Sequence, residues 1–181
     1  MNKKIKSIGY ILLSAGIAVI FYILLHEVGH MAVMLSVGAT ITDFSIFAAH
    51  VSGDGGDYTS LSKMCEYANG ALFPLIISYI YTLLYQKDST KSLYRIFSYM
   101  VTLVPVASMF AWVIIPFVYL QGNAPVNDDV TKFLNVFCKN YHPLIVSATA
   151  VVLIGIGVVL MIKKQVIHNF IKEIKQATVK I

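Results

Sequence analysis

Long runs of apolar residues dominate the chain and alternate with short polar connections. Four of these runs could cross a hydrocarbon core of about 30 Å, which takes an α-helix of roughly 20 residues. They cover residues 8–37, 64–85, 93–120 and 144–162. The pattern therefore predicts an all-α membrane protein with about four transmembrane helices.

The polar connections predict one short extended segment, which follows the first helix. Residues 39–51, ATITDFSIFAAHV, alternate enough for a strand or a short β-hairpin. The glycines Gly53, Gly55 and Gly56 in the following SGDGGDY mark a turn. We find no internal repeat and no low-complexity linker, so residues 1–165 are predicted to form a single integral membrane domain.

Residues 166–181 are predicted to form a basic amphipathic tail. Its apolar residues would share one helical face with lysines elsewhere; they are Val166, Ile167, Phe170, Ile171 and Ile174. Two interpretations remain open for this tail, a helix lying on the membrane surface and a solvated helix end.

Composition agrees with a bilayer as solvent. Only 13% of the residues are charged and 57% are hydrophobic, whereas a soluble domain carries roughly 25% charged residues. The net charge of +5 does not indicate nucleic acid as a partner, because the basic residues lie beside apolar runs and not in an aromatic-studded patch. Cys65 and Cys138 lack CxxC spacing, so we expect two small buried residues and no disulfide framework.

The placement of basic residues predicts how the chain is oriented. With four crossings, 11 of the 14 basic residues fall on one side of the membrane. They are Lys3, Lys4, Lys6, Lys87, Lys91, Arg95, Lys163, Lys164, Lys172, Lys175 and Lys180. The positive-inside rule makes that side cytoplasmic, with both termini there. The first apolar run is too long for a cleaved signal peptide, and these features suit a bacterial plasma membrane.

The motif HEVGH at residues 26–30 lies inside the first predicted membrane helix. Positions i and i+4 of an α-helix share a face, so His26 and His30 can bind one metal ion together. Glu27 points about 100° away, where it is a poor ligand but can contact a water on the open side of the metal. This is the H-E-x-x-H pattern of two Zn²⁺ ligands and a general base.

The membrane setting strengthens the metal interpretation of this motif. Each ionisable side chain at the centre of a membrane helix costs about 2.5–3.5 kcal/mol on insertion scales. Three such residues within five positions need a compensating interaction, which coordination of Zn²⁺ would supply. The alternative is a metal-free cluster held together by hydrogen bonds.

A catalytic zinc also needs a third protein ligand and one open position. The candidate ligands are His50, Asp54, Asp57, Glu66, Asp128, Asp129 and His142. Asp128 and Asp129 are favoured because they follow the third apolar run through a turn rich in Gly, Asn and Pro, which can line a cavity at membrane depth. One could bind the metal while the other caps a helix beginning near Val130; alternatively, both lie in an exposed loop.

Asn69 and Gly70 are polar or small residues inside the second predicted span. They can hydrogen-bond and pack between helices, or they can contact the backbone of an extended substrate. Gly29, within the metal motif, offers a smooth surface on which another helix can pack closely.

These features together resemble the site-2 protease family of intramembrane zinc metalloproteases. The resemblance rests on HEVGH in the first helix, the segment ending in SGDGGDY, the ANGALFP stretch of the second span and the aspartates after the third. It covers nearly the whole chain, and the zinc motif is its specific part.

The resemblance implies a set of site residues and an activity. His26 and His30 would bind Zn²⁺, with Asp129 or Asp128 as the third ligand, and Glu27 would be the catalytic acid and base. Asp129 is preferred because it precedes Val130 as the family's ligand precedes a helix. The implied activity is zinc-dependent hydrolysis of peptide bonds in membrane-anchored substrates, and no oligomeric state is implied.

Two other classes of protein remain as alternatives. A metal transporter would use histidines from several helices, but the later spans contain no second His/Asp/Glu cluster. A non-catalytic membrane protein stabilised by zinc would have no use for the general base at Glu27.

Overall fold

A computed structural model describes residues 3–178 and the side chains of residues 5–176. The elements in chain order are α1 (Lys3–Ser36), β1 (Ala39–Ser45), β2 (His50–Gly55), α2 (Ser60–Leu83), α3 (Ser92–Leu120), α4 (Asp129–Phe137), α5 (Leu144–Lys163) and α6 (Val166–Thr178). The predicted helical class and the predicted hairpin after the first helix are confirmed. Lys180 and the side chains of Lys3 and Lys4, which entered the prediction of orientation, lie outside this description.

The four long helices α1, α2, α3 and α5 form an antiparallel bundle. α1 packs against both α2 and α3, and α3 packs against α5. The start of α2 lies beside the C-terminal half of α1, where His30 contacts Glu66. The end of α2 lies beside α6, where Asn169 contacts Tyr85. α2 therefore extends from one end of the bundle to the other.

Three of these helices, α1, α3 and α5, are long and apolar enough to cross a membrane. They also expose large apolar side chains, such as Leu12 at 69% and Val152 at 61%, which a bilayer would cover. The prediction of four membrane-spanning helices is thus supported for three. α2 forms where it was predicted, but its first half carries Lys63, Glu66 and Asn69 and is less apolar. The side chain of Asn69 and the backbone carbonyl of Glu66 contact α1 at the HEVGH motif.

The two strands form an antiparallel hairpin that packs on the C-terminal end of α1. Val51 of β2 and Ala39 of β1 are buried in one cluster with Met34 of α1. The turn between the strands lies at residues 46–49. Of the three glycines predicted to mark a turn, Gly53 and Gly55 belong to β2 and pair with β1, while Gly55 and Gly56 have positive φ where the chain leaves the strand.

The C-terminal helix α6 packs against α3. Val166 and Asn169 are buried, and the ring of Phe170 stacks on that of Tyr99. Arg95 of α3 donates from Nη1 to Oε1 of Glu173 at 2.8 Å, and both side chains are buried. A buried pair of this kind is costly to break from one side, because it leaves an unpaired charge. The predicted tail is therefore a helix held on the bundle by specific polar contacts.

Both cysteines are free, as predicted. The prediction that both are buried is wrong for Cys65, which is exposed, while Cys138 is partly buried. Cysteine is a residue type that is often buried. Whether a given cysteine is buried depends on the helix face on which it lies, and residue type does not reveal that face.

Candidate metal centre

The HEVGH motif spans about one and a half turns of α1, and it positions two imidazoles together as its spacing predicts. Nε2 of His26 and Nε2 of His30 lie 3.0 Å apart. His30 is 7% exposed, and His26 is partly buried. The helix alone therefore brings two metal-binding nitrogens to one point.

Asp129, the first residue of α4, completes a triangle of ligand atoms. Its Oδ2 lies 3.2 Å from Nε2 of His26 and 3.1 Å from Nε2 of His30. Ligands about 2.0–2.1 Å from a tetrahedral Zn²⁺ would lie roughly 3.3–3.4 Å apart, close to these separations. In residues 3–178, His26, His30 and Asp129 form the one group of this kind that could bind a metal ion.

The chemistry of the three atoms also fits a cation. Nδ1 of His30 donates to the carbonyl oxygen of Glu66 at 2.8 Å, and a carbonyl can only accept. Neutral His30 then directs the lone pair of Nε2 toward Oδ2 of Asp129, which is itself an acceptor. Two lone pairs at 3.1 Å repel each other unless a proton or a cation lies between them. The Glu66 carbonyl thus holds the ring of His30 in the orientation that binding a metal through Nε2 requires.

The surroundings of Asp129 keep its carboxylate charged. Burial acts to raise the pKa of Asp129. When no cation is bound, protons on Nε2 of the imidazoles can occupy the same place, and hydrogen bonds from His26 and His30 in their protonated, charged form lower that pKa well below its ordinary value. A carboxylate that stays ionised at neutral pH is ready to bind a cation without first losing a proton.

The structure separates the two neighbouring aspartates. Oδ1 of Asp128 accepts a hydrogen bond from the backbone N–H of Val130 at 2.8 Å and caps α4. Asp129 is left to face the two histidines. Sequence analysis predicted that one aspartate would face the metal group and the other would cap the helix. The structure has this arrangement, with Asp129 at the metal group and Asp128 at the cap.

The contact between α1 and α2 depends on two glycines. A Cβ on Gly29 would lie 2.9 Å from the carbonyl carbon of Asn69, and a Cβ on Gly70 would lie 2.8 Å from Cε1 of His26. Nδ2 of Asn69 donates to the carbonyl oxygen of Gly29 at 2.7 Å. Asn69 therefore joins the helices here, and Gly70 makes room for the imidazoles. Contact of Asn69 or Gly70 with a substrate stays a prediction.

Gly70→Ala is expected to disturb the metal group. The new methyl would push on the rings of both His26 and His30, and overpacking of this kind costs about 1–3 kcal/mol. We expect a lower thermal midpoint in detergent and less than one zinc bound per chain. Gly155→Ala is the matched control, because a Cβ at that helical glycine meets nothing within 4 Å. Equal zinc content and equal midpoints in the two variants would contradict this account.

Glu27 shares a cavity with the three ligand residues. The cavity has a volume of about 620 Å³. It is lined by His26, Glu27, His30, Met34, Ala49, His50, Val51, Glu66, Tyr67, Asn127, Asp128, Asp129 and Lys132. Glu27 is 3% exposed, and no hydrogen bond or ion pair from the described residues engages its carboxylate. A buried acid without a partner beside a metal group is available for proton transfer.

The remaining predicted ligand candidates contribute no side-chain atom to the metal group. His50 lines the cavity but lies 3.9 Å from Asp43, with more than half of each side chain exposed. Glu66 contributes its backbone carbonyl to His30. Asp54 and Asp57 are exposed, and His142 accepts from the backbone N–H of Leu144 at the start of α5.

Two residues that line the cavity were not among the predicted site residues. Nζ of Lys132 lies 3.7 Å from Oδ1 of Asp129, one turn along α4, and Tyr67 lines the cavity from α2. The i,i+3 spacing from Asp129 could have indicated Lys132. No comparable signal indicates Tyr67, because its position depends on how α2 packs.

Comparisons with protein-family models, with curated proteins and with solved structures found no match. Any inference about function therefore rests on the residues of the metal group and its cavity.

Proposed function

We propose that this chain is a zinc-dependent intramembrane endopeptidase. The observation that carries the proposal is the position of Glu27, a buried carboxylate without a partner in the cavity where His26, His30 and Asp129 converge. Three protein ligands leave a fourth position open in a tetrahedral site, as catalytic zinc sites do. A purely structural zinc would be closed by a fourth protein ligand.

The residues of the chain would divide the work of peptide hydrolysis. His26, His30 and Asp129 would hold Zn²⁺, which when bound supplies Lewis acidity toward a peptide carbonyl and a water. Glu27 would accept the proton of the attacking water and donate it to the leaving amine. Lys132, beside Asp129, adds positive charge to the cavity in which the substrate carbonyl acquires negative charge.

A membrane-anchored substrate would have to enter this cavity in an extended form, because a helix hides its carbonyls in its own hydrogen bonds. His50 and Val51 of β2 line the cavity. The hairpin therefore offers a strand edge at the right place for a substrate to pair as an added strand.

We further propose that all four long helices cross the membrane, with both termini in the cytoplasm of a bacterial cell. α2 extends between the two ends of the bundle in the same way as its neighbours. One end, here called the basic end, is where α1 and α3 begin and α2 and α5 end. It carries Lys6, Lys87, Lys91, Lys163 and Lys164. The metal group lies toward the other end, which has fewer lysines, in keeping with the positive-inside rule.

The alternatives have less support. A transporter needs a path with further ligands, but the described residues contain no second group that could hold a metal. A non-catalytic zinc protein leaves the buried, unpartnered Glu27 without a role.

The direct test uses the purified chain in liposomes with a pool of single-span reporter proteins. Each reporter carries a different apolar segment between two affinity tags, and mass spectrometry detects new peptide termini. We expect cleavage that 1,10-phenanthroline abolishes and added Zn²⁺ restores, while the non-chelating isomer 1,7-phenanthroline has no effect. Cleavage that resists the chelator would overturn the zinc mechanism. A chain that binds one zinc and cleaves no reporter would favour the non-catalytic alternative.

A further inference from the structure

The length of α1 indicates how deep the metal group lies in the membrane. Lys6 is at the basic end, and His26 follows it by about 30 Å along the same α-helix, at 1.5 Å per residue. A hydrocarbon core is also about 30 Å thick. Beyond His30, α1 continues only to Ser36, which is about 9 Å further. With Lys6 at one boundary of the membrane, the metal group therefore lies close to the opposite boundary.

The surface of α2 indicates the same depth. The backbone carbonyl of Glu66 accepts from His30, so this part of α2 is level with the metal group. Lys63, one turn earlier in α2, is exposed and is not among the residues that line the cavity. A charged side chain that faces lipid near the bilayer centre is unfavourable, so the exposed Lys63 indicates water or lipid head groups at this level. Ile76, further along α2, is 52% exposed and belongs to the apolar surface.

The cavity at the metal group is lined mainly by polar side chains. The side chain of His50 is 52% exposed and that of Lys132 is 41% exposed, and Asn127 and Tyr67 line the same cavity. The apolar residues of the lining are Met34, Ala49 and Val51. Polar walls can hydrogen-bond to an extended backbone and to polar side chains, but they give little apolar contact to the residues of a membrane helix. The lining therefore favours a polar segment of a substrate.

We propose that the substrates are membrane-anchored proteins that are cut in a polar segment just outside the anchor, at the boundary opposite the basic end. This substrate class rests on the proposed peptidase function and deepens it. A segment outside the hydrocarbon core can be extended, because water satisfies its backbone. It reaches the cavity without the unwinding of a membrane helix. Each cut consumes one water, and water is abundant at this boundary.

The depth of the metal group is tested without catalysis, by labelling with a charged, membrane-impermeant maleimide. The chain carries Cys65→Ser and Cys138→Ser and is embedded in lipid nanodiscs, which leave both membrane faces accessible. Single variants Lys63→Cys, Ile76→Cys and Lys87→Cys are compared. Ile76→Cys is the matched control on the same helix, and Lys87→Cys is the exposed reference at the basic end.

We expect Lys63→Cys to react within about three-fold of the rate of Lys87→Cys. Ile76→Cys should react at least about ten-fold more slowly, because a thiol in apolar surroundings ionises poorly and the reagent does not enter lipid. Equally slow labelling of Lys63→Cys and Ile76→Cys would place the metal group inside the hydrocarbon core and overturn the proposal.

The position of the cut is mapped in single-span reporters that are co-expressed with the chain in bacterial membranes, with Glu27→Gln as the inactive background. Lysines at one end of each reporter set its orientation. In a second reporter the apolar run is longer by about one helical turn at the end without lysines. We expect new termini just outside the apolar run at that end, and we expect the cut to move outward with the boundary in the longer reporter.

The outcomes separate the substrate class from the proposed function. New termini inside the apolar run, or at the end that carries the lysines, would overturn the substrate class and leave the peptidase standing. No cleavage of any reporter, together with fast labelling of Lys63→Cys, would overturn the proposed peptidase and with it the substrate class.

Discussion

Replacing Glu27 with Gln is expected to lower peptide hydrolysis by about 10²–10⁴-fold, the usual contribution of a positioned acid or base. Gln keeps the size of Glu but can neither accept the water's proton nor return it. Zinc content should stay near one per chain, because the ligand atoms belong to His26, His30 and Asp129. Reporter cleavage and elemental analysis on the same preparation would check both parts.

Glu66→Gln is the control for this variant. Glu66 lines the same cavity, but the contact it makes with His30 comes from its backbone carbonyl, which the substitution preserves. Hydrolysis should therefore change little. Wild-type cleavage by the Glu27 variant would remove Glu27 from the mechanism. Equal losses in both variants would indicate that the charge of the cavity matters more than one proton carrier.

Replacing Asp129 with Asn is expected to weaken zinc binding by more than about 100-fold. Loss of a group that only hydrogen-bonds to a metal ligand costs about 10–100-fold, and loss of a ligand should cost more. An amide oxygen carries no negative charge, so it attracts the cation less strongly. It also removes the ionised carboxylate that the two imidazoles stabilise. Competition with a fluorescent zinc chelator in detergent would measure the change.

The neighbouring residue provides a matched control for this experiment. Asp128→Asn removes the same charge one position away, and Asn caps helices as well as Asp does. The hydrogen bond to Val130 should survive, so α4 should still place Asp129 at the histidines. Zinc binding unchanged in the Asp129 variant, or lost equally in both, would exclude Asp129 as the specific third ligand.

Much of the fold could be predicted from sequence, because hydropathy and periodicity are local properties. The runs at 8–37, 93–120 and 144–162 correspond to α1, α3 and α5. α2 also formed at its predicted place, and one tertiary contact explains part of its lower apolarity, since the side chain of Asn69 donates to the backbone of α1. The hairpin was predicted, but the position of the turn between its strands was not, because glycine marks flexible positions without determining strand register.

The candidate site also has a part that local sequence predicts and a part that depends on tertiary packing. The five residues of HEVGH are enough to place His26 and His30 on one helical face, because 3.6 residues per turn determines that geometry. The proposed third ligand is about 100 residues away along the chain, so local spacing could only reduce the choice to Asp128 or Asp129. The start of α4 distinguishes the two aspartates. Asp128 is the N-cap residue and hydrogen-bonds to the helix backbone, whereas Asp129 faces the histidines.

The sequence by itself determined that the helices are apolar enough to cross a membrane, that two histidines share one helical face, and that a glutamate follows the first of them. Each of these follows from residue type and short-range periodicity. Only the tertiary structure decided which aspartate joins the histidines, why Gly70 must lack a side chain, and how the Glu66 carbonyl orients His30. Those features depend on the packing of α2 and α4 against α1, and packing between distant segments leaves no periodic trace in a single sequence.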